Sequence, residues 1–510
     1  MDGLPLALST AGAYLDQVAL SVSDYLRLYK ESWIQLHKSG PELSSYDETL
    51  YSTWNISYDH VKQENDLSAK LLCFWAYFDS QDIWLELLQH DDSDTPDWVR
   101  QLVKDKISFH KAMRVLSSHG LVEVHASPQE LVESSGYSMH GCVHSWTINV
   151  LNQTWDYGLA SLAVGFVASH VPEEGTDQPW LLQQRLIQHA IRCSYILLND
   201  LLTDTEMEWA WYNIGSLYDQ LGKNVEAETM YQTALQKSKK VWGPEHTQTL
   251  NIVNNLGLLY VDQNKLTEAE PMYQAALQGY EKIWGPDHSE TLDVVNNLGL
   301  LYMEQGKLAE AEQMYQRALQ GKEKELGPGH ARTLDIVNNL GLLYTEQGKL
   351  VEAEQMYQRA LQGKEKELGP ERIKTSDTFH NLGILYENQG KLVEAEEMYQ
   401  KALKGYEKVV GTNNVTTYRP ELETIFNLGS LFEDQDDWAK ARVYYSKALV
   451  GYEKVLGPDH AQTQELQDLL HDLDVKEKNK TLELEKEPSN DPLEASAEET
   501  PSVSKRQRLV

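Results

Sequence analysis

The chain has 510 residues, with 45 Lys and Arg against 78 Asp and Glu, for a formal net charge of −33. That length points to two to four structural units, and the acid excess excludes nucleic-acid and anionic-membrane partners, which need a basic footprint. Cys73, Cys142 and Cys193 lie far apart with no Cys-x-x-Cys spacing, which excludes a disulfide framework and a cysteine-rich zinc site. No apolar run reaches the roughly 18 residues of a membrane span, and Met1–Leu15 lacks the basic segment of a secretion signal. The expected location is the cytoplasm, with the nucleus open to it.

In chain order, residues 1–50 begin with Gly3-Leu4-Pro5-Leu6-Ala7-Leu8 and read as helical. Residues 51–150 hold Trp54-Asn55-Ile56-Ser57-Tyr58, the apolar run Ala69–Phe78 and Tyr137-Ser138-Met139-His140-Gly141. Taken in this order, the segments resemble the second half of the nucleotide-switch module of NB-ARC proteins, the STAND-class ATPases that include NLR-like immune receptors. The resemblance implies a helical-subdomain remnant with its Gly-x-Pro motif over 1–50 and a winged-helix domain over 51–150. It also aligns Met139-His140-Gly141 with that family's Met-His-Asp sensor, with Gly141 where Asp is usual. The intact family's P-loop, Gly-x-x-x-x-Gly-Lys-[Ser/Thr], has no counterpart: the Gly-Lys pairs at 222, 306, 321, 348, 363 and 390 are never followed by Ser or Thr. Without that backbone cradle and its lysine there is no phosphate site. No cofactor is therefore expected, and His140 is expected to pack within the winged helix. Residues 151–206, with Trp155, Leu159, Leu162, Phe166, Trp180, Leu186 and Ile187, read as a helical linker or a degenerate repeat.

From residue 207 three markers recur in phase. Asn-[Leu/Ile]-Gly stands at Asn213, Asn255, Asn297, Asn339 and Asn381, 42 residues apart, and at Asn427 after 46. Tyr231, Tyr273, Tyr315, Tyr357, Tyr399 and Tyr445 keep the same period, each followed by Ala-Leu. Gly-Pro-x-His stands at Gly243, Gly285, Gly327 and Gly457 and is degraded at Gly369 and Gly411. Each unit reads as two helices. In the second unit, helix A spans about 246–262 with Val253, Leu256, Gly257 and Tyr260 on one stripe. Gly257 permits close approach of the paired helix. Helix B spans about 266–283, with Ala269, Tyr273, Ala276, Leu277 and Tyr280 on one face, and stops at Gly285-Pro286. Leu256-Gly257, Tyr260, Ala269, Tyr273 and Ala276 resemble the tetratricopeptide-repeat signature. The period, the Glu-Ala-Glu-x-x-Tyr run and the Gly-Pro-x-His-x-x-Thr linker are similar to kinesin-light-chain-type repeats, which many fungal NLR-like proteins carry. The fold expected is all-α: a right-handed tetratricopeptide-repeat solenoid preceded by a helical/winged-helix region. Six repeats and a capping helix occupy 207–475. The polar tail 476–510 is expected to be disordered, and its Lys505-Arg506-Gln507-Arg508 would suit a nuclear import signal.

In such a solenoid, helix A lines the concave face. A helical angle of about 100° per residue puts Asn251, Asn255, Leu258 and Asp262 opposite the packed stripe. The equivalent sets are Asp293, Asn297, Leu300 and Glu304; Asp335, Asn339, Leu342 and Glu346; and Asp377, Asn381, Ile384 and Asn388. Asn213 and Asn427 are the outer members of the Asn row. An Asn row can hydrogen-bond the backbone of an extended peptide without reading its sequence. Beside it run apolar side chains and flanking acids. The function expected is a non-enzymatic scaffold binding a protein or peptide ligand with basic and spaced apolar residues. Two alternatives stay open: the C-terminal part of an NLR-like signalling ATPase, and a kinesin-light-chain-like cargo adaptor. The competing account of the Asn and Gly rows is that duplicated repeats fit one another. His246, His288, His330 and His460, with Thr249, Thr291, Thr333 and Thr463, read as helix-start residues. The Glu-Ala-Glu runs read as first-turn acids that complement the helix dipole. Trp242 and Trp284 read as packing between repeats. No catalytic or metal-binding constellation stands out.

Overall fold

The computed structural model describes residues 45–89, 95–125, 135–173, 179–199, 201–202, 207–410 and 418–484, besides Leu15, Ser23, Asp24 and Arg27. Gly3–Leu8 and the tail from 485 on, with Lys505–Arg508, lie outside the described residues. Two compact units divide the chain, Met1–Leu259 and Tyr260–Val510.

In the first unit, α1 (Ser45–Glu64) and α2 (Asp66–Trp75) are separated by Asn65, whose side chain accepts the Leu67 and Ser68 N–H groups. Ile83 then pairs with Tyr137 in an isolated antiparallel bridge. Helices α3 (Asp97–Leu102) and α4 (Lys106–Ser118) follow, and β1 (Glu123–His125) pairs antiparallel with β2 (Gly136–Ser138). Trp54, Leu72, Phe74, Trp75, Tyr77 and Phe78 are fully buried, so the apolar segments singled out above form the core. His140 starts α5 (Gly141–Trp146), its Nδ1 accepting the Cys142 N–H at 3.2 Å. This corrects the expectation of a packed His140: the ring is exposed, because a free helix-start N–H is the partner within its reach. Helices α6 (Tyr157–Ser169) and α7 (Pro179–Leu198) follow. Arg185 of α7 forks onto the Asp82 carboxylate at 2.6 and 2.7 Å and lies 4.0 Å over Trp84, tying α7 to the loop after α2.

The repeats then run as pairs. The first is α8 (Glu208–Gln220) with α9 (Asn224–Val241); α10 (Thr247–Asp262) and α11 (Leu266–Trp284) follow. Next come α12 (Ser289–Glu304) with α13 (Leu308–Glu325), and α14 (Ala331–Glu346) with α15 (Leu350–Glu367). Then come α16 (Ile373–Asn388) with α17 (Leu392–Val410), and α18 (Arg419–Asp434) with α19 (Trp438–Val455). The last helix, α20 (Ala461–Leu484), is longer than the capping helix expected over 461–475. The tail expected to be disordered from 476 is helical as far as Leu484. Lys476 donates to Glu433 at 2.8 Å and Glu477 pairs with Arg442 at 2.8 Å, so polar residues still hold this stretch to the last repeat.

Both kinds of turn follow from residue chemistry. The A–B turns place Gly222, Gly306, Gly348 and Gly390 at φ of 69–73°, with Asn264 and Asp436 in the same region. Asn and Asp tolerate this conformation better than other side-chain-bearing residues. At the B–A junctions, Gly243, Gly285, Gly327, Gly369 and Gly457 turn at φ of 88–99°. Each carbonyl there accepts the hydroxyl of the threonine six residues on, Thr249, Thr291, Thr333, Thr375 and Thr463, at 2.8–2.9 Å. His246, His288, His330 and His460 each accept the N–H two residues ahead through Nδ1 at 3.2–3.3 Å. Trp242 and Trp284 pack at the junctions between repeats, against the histidines that start the next helix A. They are about half exposed and stack on His246 and His288, with ring centroids 5.0 and 4.8 Å apart.

Within a repeat, the glycine of helix A sits against the tyrosine of helix B. A Cβ on Gly299 or Gly341 would meet the Tyr315 or Tyr357 ring at 2.7 Å. Between repeats, one carboxylate of helix B gathers polar groups from the next repeat. Glu312 accepts Tyr344, Gln347 and Lys349 at 3.1–3.4 Å, and Glu354 accepts Tyr386 and Gln389 and pairs with Lys391 at 3.2–3.5 Å. Each of these lysines also lies over its tyrosine ring, 5.2 Å from the centroid.

Gly341→Ala should destabilise the protein by about 1–2 kcal/mol, because overpacking against buried Tyr357 outweighs the gain in helix propensity. Gly329→Ala, with open space at its Cβ, should change stability by less than about 0.5 kcal/mol. Urea midpoints of the full chain, followed by circular dichroism, measure both.

Candidate functional site

The residues predicted to line the helix-A face separate into three groups. The first is the apolar row. Leu300, Leu342 and Ile384 are half-buried, and Leu258 in the first unit is the same. The row ends in α18 at Ser430.

The second group is the Asn row, which largely serves its own helices. Asn339 donates to Asn296 at 3.0 Å and Asn381 to Asn338 at 3.4 Å, each joining successive A helices. Asn254 and Asn296 donate to Asn255 and Asn297 within their own helices at 3.3 and 3.5 Å. In the first unit Asn255 donates to the Tyr212 hydroxyl at 2.7 Å and Asn213 to the Ala168 carbonyl at 3.1 Å. Asn427 is buried. These bonds leave each half-buried amide only part of the capacity that an extended peptide backbone would need. The fit between repeats is the better account of why Asn recurs.

The third group is the acids, and here the structure overturns part of the expected flank. Asp293 pairs with the fully buried Lys322 at 2.7 Å and with Arg332 at 3.6 Å. Asp335 pairs with Lys364, 2% exposed, at 2.8 Å and with Lys374 at 3.0 Å. Asp377 accepts the Tyr406 hydroxyl at 2.6 Å. Each carboxylate is thus satisfied by the helix-B residue 29 positions later. Burial of Lys322 and Lys364 is tolerable only because these partners are present. Asp293, Asp335 and Asp377 are inter-helix ties, not a flank open to a basic ligand. Helical angle alone put them on the open face, because it ignores that helix A also abuts its own helix B.

Asp262, Glu304 and Glu346, at the C-terminal ends of the A helices, are exposed. Partial burial raises the Glu304 pKa, and the nearby Glu346 and Asp262 carboxylates add to the rise. Asp262 is raised by desolvation as well, opposed by the Arg419 guanidinium. Arg419 itself bonds Glu423 at 3.1 Å. His380, where the three preceding repeats carry the first Asn of the pair, meets the Thr424 hydroxyl at 2.8 Å, and burial lowers its pKa to about 4. Asn251 and Asn388 are exposed.

Residues 206–282, 290–366, 336–408 and 422–462 match the family description Tetratricopeptide repeat. The repeats of this chain are tetratricopeptide repeats. A nucleotide-binding leucine-rich repeat (NLR)-like protein of Hyaloscypha variabilis is 27% identical over 274 residues, which is 50% of this chain. The chain spans about a quarter of that relative's length, with 25% covered. Among solved structures, a STAND protein with a tetratricopeptide-repeat sensor from Pyrococcus horikoshii is 15% identical, covering 94% of this chain and 73% of its own, with a TM-score of 0.40. Nearly identical TPR-like repeats of a putative kinesin light chain from Podosopora anserina are 20% identical, covering 40% of this chain and 96% of theirs, with a TM-score of 0.34. No helix among the described residues is long and apolar enough to cross a membrane.

Burial pushes the Asp377 carboxyl up to about 6, partly offset by the Tyr406 hydrogen bond. The folded state therefore holds this proton more tightly than the unfolded chain. The stability it contributes is complete near pH 4 and is lost as pH rises through about 6. Asp335 has the opposite sign: desolvation opposes ionisation, but Lys364 and Lys374 together hold its pKa below the usual carboxylate value. Its contribution is lost only on further acidification, so the two windows are separate. In Asp377→Asn the first decline should disappear. Its urea midpoint should rise relative to wild type between about pH 4 and pH 6.5, as a pH series of unfolding curves would measure.

Proposed function

We propose that the repeats act as a non-enzymatic protein-interaction scaffold whose helix-A face takes an extended peptide segment. The observation that supports this reading is the half-buried row Leu300, Leu342 and Ile384, repeated in step with the exposed acids Glu304 and Glu346. Apolar side chains at a fixed repeat can receive spaced apolar residues of a ligand, while the exposed carboxylates favour Lys or Arg beside them. The Asn row contributes spare hydrogen-bonding capacity and does not dominate. The basic preference rests on Glu304, Glu346 and Asp262, since Asp293, Asp335 and Asp377 are already satisfied within the protein.

A second reading is that this chain is the repeat-bearing part of an NLR-like signalling protein. It is supported by the likeness to the Hyaloscypha variabilis protein. It is also supported by the element order from α2 to β2: helix, bridged segment, two helices and hairpin, which is the order of a winged helix. Sequencing of full-length transcripts tests it; a frame that continues into a P-loop supports it, and transcripts that lack one in every isoform refute it.

A library of extended peptides, screened by fluorescence anisotropy against the full chain, tests the first reading. Leu342→Ala should weaken the selected peptide about tenfold by removing about 1–2 kcal/mol of apolar burial. Glu346→Lys should weaken a basic peptide about threefold and less at high salt, as expected of an exposed charge pair. Affinities unchanged by both substitutions would place any binding elsewhere.

A further inference from the structure

Outside the repeats, three metal-ligating atoms converge in the first unit. His60 and Glu64 lie one turn apart on α1, a spacing that puts both on one face. His119 follows the last turn of α4 and is fully buried. Its Nε2 stands 3.4 Å from His60 Nδ1 and 3.4 Å from Glu64 Oε2, and His60 Nδ1 lies 3.9 Å from the same carboxylate oxygen. One imidazole nitrogen thus faces two other atoms that carry lone pairs. A single N–H at His119 Nε2 can serve only one of them well, whereas one cation in the middle would serve all three.

We propose that His60, Glu64 and His119 form a site for one divalent cation of the zinc class, held by two imidazole nitrogens and a carboxylate oxygen. A tetrahedral ion with bonds of about 2.0–2.1 Å keeps its ligand atoms about 3.4 Å apart. An octahedral ion with similar bonds would bring them to about 3.0 Å. Two of the observed separations, 3.4 and 3.4 Å, match the tetrahedral spacing, and the third, 3.9 Å between His60 and Glu64, would close by about 0.5 Å around the ion. The donor set points the same way, since two imidazoles select against magnesium and calcium, which take oxygen ligands. Glu64 and His60 are partly exposed, at 43% and 27%, so water can reach the fourth position. His119 is 59 and 55 residues from its partners, so no local motif marks the site in the sequence. A bound ion would pin the C-terminal end of α1 to the C-terminal end of α4.

The test uses the full chain, stripped with a chelator and titrated with Zn²⁺ by calorimetry. Co²⁺ serves as a second probe, its visible absorption reporting tetrahedral geometry. Wild type should bind one Zn²⁺ with high affinity and give a tetrahedral cobalt spectrum. Glu64→Gln and His60→Gln should each weaken Zn²⁺ by at least about tenfold, since even outer-shell losses cost about 10- to 100-fold. Both substitutions spare buried His119, and equal melting temperatures of all three proteins in chelator would show that the fold is intact. Zn²⁺ should then raise the melting temperature of wild type far more than that of either variant. No saturable binding, or equal affinity in wild type and both variants, would overturn the proposal and leave the cluster as a hydrogen-bonded trio.

Discussion

A tyrosine pressed against a glycine sets the geometry of the repeats. At Gly215, Gly299, Gly341, Gly383 and Gly429 an added Cβ would come within 2.5–2.9 Å of the ring 16 residues on. Because that Cβ is missing, helices A and B close until the ring fills the gap, and the small Ala311, Ala353 and Ala395 of helix B are buried completely. Interiors packed this densely do not slide. The depth of this contact therefore fixes where the last turn of helix A emerges. That in turn decides whether Gln347 and Lys349 reach Glu312, and whether Gln389 and Lys391 reach Glu354.

The same tight pairing explains which polar residues stay available. A helix-A residue facing helix B must be apolar or find a partner there. Asp293 and Asp335 found lysines, Asp377 a tyrosine, and all three are lost to any ligand. Residues at the emerging end of helix A escape this, because the chain turns away from them. Exposed charge on this face is therefore concentrated at Glu304 and Glu346, one turn beyond the half-buried leucines.

Much of this was legible from periodicity. Gly257 and Tyr273 stood out because they recur, and recurrence of a glycine inside a helix calls for a packing reason, given its cost of about 1 kcal/mol. The linker histidines read as helix-start residues, and their hydrogen bonds agree. What escaped were the polar ties that helix A makes to its own helix B outside the apolar stripe. The spacing of 29 residues between Asp293 and Lys322 was present in the sequence, repeated at Asp335 and Lys364. A helical wheel treats a helix as having one buried face, and these helices have more. Trp242 and Trp284 read as packing between repeats and do stack on the next repeat's histidine, but lying beyond the last tyrosine of helix B they stay about half exposed. The His60, Glu64 and His119 cluster had no periodic signal at all.

The bonds that close the repeats are short-range along the chain. Threonine reaches glycine over 6 residues, Lys349 reaches Glu312 over 37, and Asn339 reaches Asn296 over 43. Such low contact order favours rapid folding that can begin at any pair and spread to its neighbours. The reverse also holds. A helix pair loses its contacts one neighbour at a time, so unfolding starts at an end, where α20 covers the last pair with Leu466 and Leu473. A ligand lying across several A helices would couple pairs that otherwise know only their neighbours, and would turn gradual fraying into a single cooperative transition.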